Sequence, residues 1–378
     1  MRIAFADFNC WDFHAQSADC IPLGGSQSAA CHLARSLARD GHEVILLSWV
    51  SKPGIYDGVP CLSWKQIHTA RLRALDLDVL VCLIDAGNGA RLRAMLGPKT
   101  LIILWAHHAH DQPGVASLRD APERTAYDGF AMVSEWQRER YERHFGIEPA
   151  RMAVLRNAIA PAFAHLFAEG ESILDQKTVP PVLAYTSTPF RGLDLLLQVF
   201  PRIREAVPGV RLQVFSSMRV YLVSPLEDEA LYGALYRRCR ETEGVEYIGS
   251  VPQPELARAL RGVSVLAYPN TFPETSCIVM MEAMASGCRV VTSHRGALPE
   301  TGAGFARLIP GEQDSGAYRE QFIEETVQVL REGVERREAT EQLLRAQVAH
   351  INATATWDLR AGQWIEWLRS LSRETRGA

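Results

Sequence analysis

This sequence lacks the features that mark several common classes of protein. Its formal net charge of −4 over 378 residues gives no general attraction to nucleic acid. The eight cysteines show no C-x-x-C pair and no zinc-like spacing, so Cys82 and Cys288, which lie in apolar runs, are predicted to be buried thiols. No apolar run is long enough to cross a bilayer, and no basic or long apolar leader precedes the first strand-like run. We therefore expect a cytoplasmic protein, with peripheral contact to a membrane surface left open.

The length predicts two domains rather than one, because a single hydrophobic core rarely grows to this size. Periodicity is lost around residues 160–180, and Pro180-Pro181 is typical of a linker. The predicted division is an N-terminal domain over 1–165, a linker over 166–181, a C-terminal domain over 182–355 and a final helix over 356–378.

Each predicted domain opens with a strand, a loop and an amphipathic helix. In the first domain, residues 3–8 form the strand, Gly24-Gly25 lies at the start of the helix, and residues 43–49 form the next strand. This β-loop-α-β order and the continuous apolar strands indicate an α/β fold with parallel, Rossmann-like sheets. Gly24 and Gly25 let backbone approach a ligand closely, but the pair is not a G-x-G-x-x-G motif, which disfavours a nicotinamide site.

The stretch from Asn270 to Gly287 is the most informative part of the chain. An apolar strand ends near Tyr268, Pro269 and Pro273 interrupt it, and Thr275 or Ser276 can cap a helix that ends at Gly287. Glu274 then precedes the helix and Glu282 lies about two turns inside it. A helix N-terminus after a strand attracts anions, so two carboxylates around it suit a phosphate that joins two hydroxyl-bearing rings.

Three histidines follow the strand predicted over residues 101–105. His107, His108 and His110 lie at the carboxyl end of a parallel strand, where polar groups point into a ligand crevice. We favour His108 over His107, although the sequence does not decide between them. Solvated loop histidines and a metal cluster are the alternatives.

The pattern around Glu274 and Glu282 resembles the E-x7-E signature of retaining GT-B glycosyltransferases, family GT4. Gly24-Gly25 resembles the Gly-Gly loop of that family, with Gln27 where many members carry Glu. Ser187 to Gly192 resembles its phosphate loop: Arg191 matches one cation, while Ser187 and Thr188 occupy the turn where the other cation is usual. Val251 and Pro252 resemble the loop that reads the nucleobase.

This resemblance implies two Rossmann-like domains facing across a cleft, with the last helix crossing back to the N-terminal domain. It implies transfer of a sugar from a UDP- or GDP-sugar to a glycan or other acceptor hydroxyl, with retention of configuration and without a cofactor or bound metal. The implied catalytic residues are His108, His107, Arg191 and Glu274. The implied donor-binding residues are Gly24, Gly25, Ser187, Thr188, Arg191, Val251, Pro252, Glu274, Thr275, Ser276, Cys277, Ile278 and Glu282.

Two other functions stay open. A sugar-nucleotide epimerase or hydrolase would turn over the donor without an acceptor, and a non-catalytic sensor would bind it without turnover. Asp76-Leu77-Asp78 looks like the metal-binding D-x-D of another glycosyltransferase fold, but it precedes a strand and is interpreted as a solvated turn. The sequence identifies neither the donor sugar, the base, the acceptor nor the oligomeric state.

Overall fold

The computed structural model describes the backbone of residues 1–377 and the side chains of residues 1–372. The chain divides into two compact units. The N-terminal unit contains residues 1–18, 24–158 and 357–378, and the C-terminal unit contains residues 19–23 and 159–356. The segment predicted as a linker over 166–181 therefore falls within the C-terminal unit, and the division comes at Ala158 rather than at residue 165.

The N-terminal unit is built on an eight-stranded sheet within the described chain, in the order β3-β4-β2-β1-β5-β6-β7-β8. All neighbouring strands are parallel except the β3–β4 hairpin. The strands are β1 (Arg2–Ala6), β2 (Glu43–Ser48), β3 (Gly54–Tyr56), β4 (Val59–Ser63), β5 (Val79–Leu83), β6 (Leu101–Trp105), β7 (Gly129–Met132) and β8 (Met152–Val154). The helices up to this point in the chain are α1 (Ser17–Cys20), α2 (Gly25–Arg39), α3 (Thr69–Ala74), α4 (Gly89–Leu96), α5 (Ala121–Ala126) and α6 (Glu135–Phe145).

The C-terminal unit contains a six-stranded, wholly parallel sheet among its described residues, in the order β11-β10-β9-β12-β13-β14. The strands are β9 (Val182–Tyr185), β10 (Arg211–Val214), β11 (Val245–Tyr247), β12 (Val265–Tyr268), β13 (Arg289–Ser293) and β14 (Arg307–Ile309). The helices are α7 (Leu193–Ala206), α8 (Pro225–Glu241), α9 (Gln253–Arg261), α10 (Ile278–Ala285), α11 (Leu298–Gly302), α12 (Gly316–Glu335) and α13 (Arg337–Thr354). The sequence predicts strands over 182–186, 210–216, 245–249, 263–268, 288–293 and 305–309, and each lies within two residues of an observed strand at either end.

The last helix, α14 (Trp357–Gly377), returns to the N-terminal unit, as the sequence predicts. Its Trp364 is fully buried, with its ring 5.0 Å from that of Trp105 on β6. Asp358 accepts hydrogen bonds from Ser36 and Arg39 on α2, both at 2.6 Å. The hydrogen bonds of Asp358 and the buried ring of Trp364 together fix α14 against the N-terminal unit.

No helix within the described residues is long and apolar enough to span a membrane. The predicted thiols are buried: Cys82 and Cys288 are both fully enclosed. Cys82 belongs to β5, and Cys288 immediately precedes β13.

Candidate functional site

Each parallel sheet has one place where the strand order reverses, and ligands of such folds bind beyond the carboxyl ends of the strands at that place. In the C-terminal sheet the reversal lies between β9 and β12. Ser187, Thr188 and Arg191 follow β9, and Glu274 follows β12. The structure thus brings the predicted phosphate loop and the first predicted glutamate to the same edge of the sheet.

Arg191 and Glu274 form a largely buried ion pair at this edge. The Nη1 of Arg191 donates to Oε1 of Glu274 at 2.8 Å, and the two side chains are 20% and 7% exposed. Burial by itself would lower the pKa of Arg191, but Glu274 together with Tyr221, Tyr268 and Cys277 holds that pKa well above its ordinary value. Arg191 therefore carries its charge throughout the physiological range.

Aromatic side chains surround this pair. The guanidinium of Arg191 lies 4.5 Å from the ring centroid of Phe272 and 5.5 Å from that of Phe190. Its Nη2 donates to the hydroxyl of Tyr221 at 3.2 Å, and the hydroxyl of Tyr268 donates to Oε1 of Glu274 at 2.6 Å. The rings restrict the guanidinium to one orientation and strengthen its interactions by excluding water.

The turn before α7 supplies hydroxyl groups beside the pair. Ser187 Oγ lies 3.3 Å from the hydroxyl of Tyr268. The hydroxyls of Thr186 and Thr188 are buried and make no hydrogen bond to the described protein. Since buried hydroxyls are normally satisfied, they are available to a ligand. In this turn, Ser187 and Thr188 occupy the place where the family resemblance implies a second cationic side chain.

Gly192 closes the turn in a conformation that only glycine adopts readily. Its φ is +119°, and a Cβ built there would lie 2.2 Å from the carbonyl oxygen of Pro269. The two strand-end loops therefore approach each other through this glycine, which brings Arg191 within reach of Glu274.

The predicted cap of α10 is wrong. The helix begins at Ile278, its N-cap residue is Cys277, and no side chain caps it, so neither Thr275 nor Ser276 has that role. The irregular segment over 273–276 continues up to Cys277, and within it the carbonyl of Glu274 accepts from Ala297 N at 2.7 Å. Glu282 consequently lies about one turn inside the helix.

Helix α10 is buried around almost its whole circumference. The sequence predicts one apolar face formed by Ile278, Met281, Met284 and Ala285. The structure buries every residue from Met280 to Ala285, and Ile278 is only half-buried. The helix fills the space between the sheet and α13, where Gln347 donates to the carbonyl of Met284 at 2.9 Å.

Glu282 is more deeply buried than is expected of a carboxylate beside an open phosphate-binding site. It is 3% exposed, and its Oε1 accepts from Gln253 Nε2 at 3.0 Å and from Ala160 N at 3.3 Å. Burial raises its pKa to about 8, although both hydrogen bonds oppose the shift. The group is therefore mostly protonated at pH 7.

The predicted nucleobase loop lies directly before Gln253. Val251 and Pro252 are half-buried, and Pro252 is the N-cap residue of α9. Through Gln253, the first residue of that helix, this loop is connected to Glu282. The structure thus links the second predicted glutamate to the predicted nucleobase loop.

In the N-terminal unit, the strand order reverses between β1 and β5. Gly24 is the N-cap residue of α2, and Gly25, the first residue of that helix, is exposed. Gln27 is buried one turn further on and donates to Asp7 Oδ2 at 2.8 Å. Gln27 therefore has a structural partner at the end of β1.

The two candidate histidines have different surroundings. His107 lies against Trp105, with 4.8 Å between the ring centroids, and interacts with the side chain of Asn157. Burial and the neighbouring His108 lower the pKa of His107 to about 3, so its ring is neutral at pH 7. His108 is 30% exposed, and its Nδ1 lies 3.3 Å from Oδ1 of Asp85.

Asp76 and Asp78 lie before β5, near the N-terminal strand. Asp78 Oδ2 accepts from the backbone N–H of Arg2 at 2.8 Å, and Asp76 lies 3.9 Å from the Arg2 guanidinium. Across the described part of the chain, no three His, Cys, Asp or Glu side chains converge as metal ligands.

Four residues near these positions were not predicted from sequence. Tyr268 and Tyr221 contact the Arg191–Glu274 pair, and Asp7 and Asp85 lie at the reversal of the N-terminal sheet. Asp7, Asp85 and Tyr268 each end or closely follow an apolar strand, which is the signal that identified His107. For Tyr221 the sequence contains no comparable signal.

The fold is that of GT-B glycosyltransferases. The chain superposes on a glycosyltransferase from Rickettsia africae with a TM-score of 0.70, at 10% identity over 98% of both chains. It also superposes on sucrose-phosphate synthase from Thermosynechococcus elongatus with a TM-score of 0.71, at 14% identity over 98% of this chain and 99% of the other. HepE of Anabaena, solved with UDP and glucose, gives a TM-score of 0.68 at 14% identity over 98% and 100%.

The family model of glycosyl transferases group 1 matches residues 180–330 of this chain. This match confirms the resemblance that the sequence shows. Phosphatidyl-myo-inositol mannosyltransferase of Mycobacterium tuberculosis is 30% identical over 105 residues, or 28% of this chain and 25% of the relative. The match thus spans about a quarter of the length of the curated relatives.

Proposed function

We propose that this chain transfers a sugar from a UDP- or GDP-sugar to an acceptor hydroxyl, with retention of configuration and without a bound metal. The observation that carries the proposal is the Arg191–Glu274 pair at the strand-order reversal of the C-terminal sheet. A cation and a carboxylate side by side suit the two ends of a sugar phosphate, since one binds the phosphate and the other the hydroxyls.

The diphosphate is proposed to bind beside Arg191. Its forked N–H groups match phosphate oxygens, and the buried hydroxyls of Thr186 and Thr188 provide further donors. The N-terminus of α7 follows Gly192, so its free backbone N–H groups favour negative charge at the same place. These groups take the place of the second cation that the family resemblance leads one to expect.

Glu274 is proposed to bind the sugar. Its Oε1 already accepts from Arg191 and Tyr268, so Oε2 is the atom that would accept from sugar hydroxyls. The carboxylate also balances the charge of Arg191 before the donor arrives. When the diphosphate binds, Arg191 is shared between two anionic partners.

Glu282 is proposed to bind the ribose, with Gln253 holding its side chain in place. With a pKa of about 8, the group enters the complex mostly as a neutral acid, which can both donate to and accept from a hydroxyl. Its contribution to donor affinity is therefore smaller than that of an ionised carboxylate.

Catalysis would follow from stabilising the leaving group. As the bond between the sugar and the diphosphate breaks, negative charge grows on the phosphate oxygens next to Arg191 and the N-terminus of α7. Fixed donors aimed at such a charge lower the barrier. The acceptor proton is proposed to leave with the phosphate, so no side chain is assigned as a general base.

Calorimetry with UDP, GDP and their sugar conjugates tests donor binding directly. We expect one nucleotide series to bind and the other to bind at least tenfold more weakly. Binding followed by nucleoside diphosphate release only in the presence of acceptor supports transfer. Conversion without acceptor would show an epimerase or hydrolase, and binding without any turnover would show a sensor.

A further inference from the structure

The N-terminal sheet carries a second set of polar groups at its strand-order reversal. Asp7 follows β1, Asp85 follows β5 and His108 follows β6, three adjacent strands of that sheet. Since the carboxyl ends of parallel strands lie at one edge, the three side chains share the edge where a ligand of this unit is expected.

Asp85 and His108 are in contact and only partly open to solvent. Nδ1 of His108 lies 3.3 Å from Oδ1 of Asp85, and the side chains are 30% and 25% exposed. This separation is slightly longer than a typical hydrogen bond. Such bonds in ligand-free sites are often long and tighten when a substrate binds.

Gly114 closes over this pair. A Cβ built on it would lie 2.0 Å from Oδ1 of Asp85 and 2.5 Å from Nδ1 of His108. Its carbonyl also accepts from Ala86 N at 2.8 Å, which fixes the loop next to Asp85. The backbone therefore encloses the Asp85–His108 contact on one side, and a side chain at Gly114 would displace one of the two groups.

The backbone of His108 is held from a different direction. Its carbonyl accepts from Gln137 Nε2 at 2.8 Å and from the hydroxyl of Tyr141 at 2.9 Å, both on α6. Gln137 also bonds to Ala106 O and to Val133 N. With its main chain fixed in this way, the imidazole of His108 is oriented by what its ring contacts.

The charges around the pair are acidic. Asp7 is fully buried and accepts from Gln27 and from Asn9 N, each at 2.8 Å. Burial, together with the charge of Asp7, raises the pKa of Asp85 to about 6. His107, the other titratable neighbour of His108, is neutral at pH 7. Asp85 is thus ionised above about pH 6.

We propose that Asp85 is a positioning residue for His108. It accepts the Nδ1–H of the imidazole, which leaves Nε2 as the acceptor for a substrate hydroxyl at this edge. The inference deepens the proposed function and rests on it, because the hydroxyl belongs to the sugar or to its acceptor. It also assigns the substrate contact to His108 rather than to His107. No proton is transferred to the ring in this scheme.

A pH dependence follows from this arrangement. As the pH falls through about 6, Asp85 gains a proton and no longer selects the Nδ1–H tautomer. We expect kcat/KM of the wild type to decrease below about pH 6. We expect this decrease to be absent in Asp85→Asn.

Steady-state kinetics on Asp85→Asn and Asp85→Glu test the proposal. Asparagine can present its NH₂ group to Nδ1 and so favour the wrong tautomer, and we expect kcat/KM to fall about tenfold, as for the loss of one hydrogen bond to the substrate hydroxyl. Glutamate restores the acceptor and should recover part of the loss. Asp76→Asn, a change of an exposed carboxylate before the same strand, is the matched control and should behave as wild type.

Nitrogen NMR of the histidine rings gives a readout that needs no turnover. We expect the wild-type His108 to show protonated Nδ1 and unprotonated Nε2 at pH 7.5, and Asp85→Asn to show a mixture of tautomers. If the wild type turns over no donor, the proposed function fails while the ring spectrum still decides the role of Asp85. An Nε2–H tautomer in the wild type, or unchanged kcat/KM in Asp85→Asn, overturns the inference. Should Asp85→Asn fail to fold, the wild-type spectrum decides alone.

Discussion

Removing the guanidinium of Arg191 should destabilise the protein as well as weaken nucleotide binding. In Arg191→Ala, Glu274, whose side chain is 7% exposed in the wild type, keeps its hydrogen bond from Tyr268 but loses its cation. Breaking a buried ion pair on one side costs about 3–5 kcal/mol, because a charge is left buried without a partner. Since a fifth of the Arg191 side chain is exposed, we expect the lower end of this range, about 3 kcal/mol.

A second substitution separates the two effects. In the double variant Arg191→Ala, Glu274→Gln no charge remains buried, and the amide still accepts from Tyr268. Adjacent residues of this kind couple by about 0.5–3 kcal/mol, so the double variant should recover about 2 kcal/mol of stability. It should not recover nucleotide binding, because it lacks both the guanidinium proposed to bind the phosphate and the carboxylate proposed to bind the sugar.

The assay is urea unfolding of the four proteins in this cycle. All eight tryptophans lie in the N-terminal unit, so circular dichroism and hydrogen exchange of peptides from residues 182–355 should be used rather than fluorescence. Nucleoside diphosphate affinity is measured in parallel by calorimetry. An Arg191→Ala variant as stable as the wild type would contradict a stabilising buried ion pair, as would a Glu274→Gln substitution that restores no stability in the Arg191→Ala background.

Three further predictions concern single features of the C-terminal unit and the metal requirement. Because the pKa of Glu282 is raised to about 8, its contribution to stability is complete below the unfolded-state pKa of about 4.3 and is lost as the pH rises through about 8. The stability of Glu282→Gln relative to wild type should therefore rise between pH 5 and pH 9, and parallel unfolding curves would contradict this. Gly192→Ala should lose more than about 1 kcal/mol of stability, because its φ is +119° and its Cβ would meet Pro269; unchanged urea midpoints would show that the loop adjusts. Turnover should persist after exhaustive chelation, and activity restored only by Mn²⁺ or Mg²⁺ would overturn the metal-independent mechanism.

The strands were readable from sequence because each buried parallel strand is a short apolar run between turn residues. The central strands β9 and β12 of the C-terminal sheet, which are fully buried, follow this rule. The β3–β4 hairpin was missed because Gly54–Tyr56 is a short edge strand whose residues are only partly buried. Its pairing depends on contacts with β4 rather than on a pattern of its own.

Much of the candidate site could be placed from sequence, since position after a strand determines which edge a residue occupies. This reasoning placed Glu274, and the family resemblance pointed to Arg191. Neither predicted their direct ion pair, which depends on the approach of two loops through Gly192. The burial of Glu282 also could not be read locally, because Ala160 and Gln253 are distant in the chain.

The contact between Asp85 and His108 illustrates the same limit. The two residues follow β5 and β6, and the sequence shows that each strand ends in a polar residue. That the two strands are neighbours is a property of the sheet order. The absence of a side chain at Gly114, which the contact requires, has meaning only once the loop is seen against the pair.

Nucleoside diphosphate release measures transfer from a nucleotide sugar directly. The wild type is incubated with UDP- and GDP-sugars, with and without a panel of sugar and polyol acceptors. The double variant Arg191→Ala, Glu274→Gln serves as the folded control. We predict release from one donor only when an acceptor is present, at a rate at least tenfold above that of the control. No release from any donor, or equal release by the control, would contradict the account.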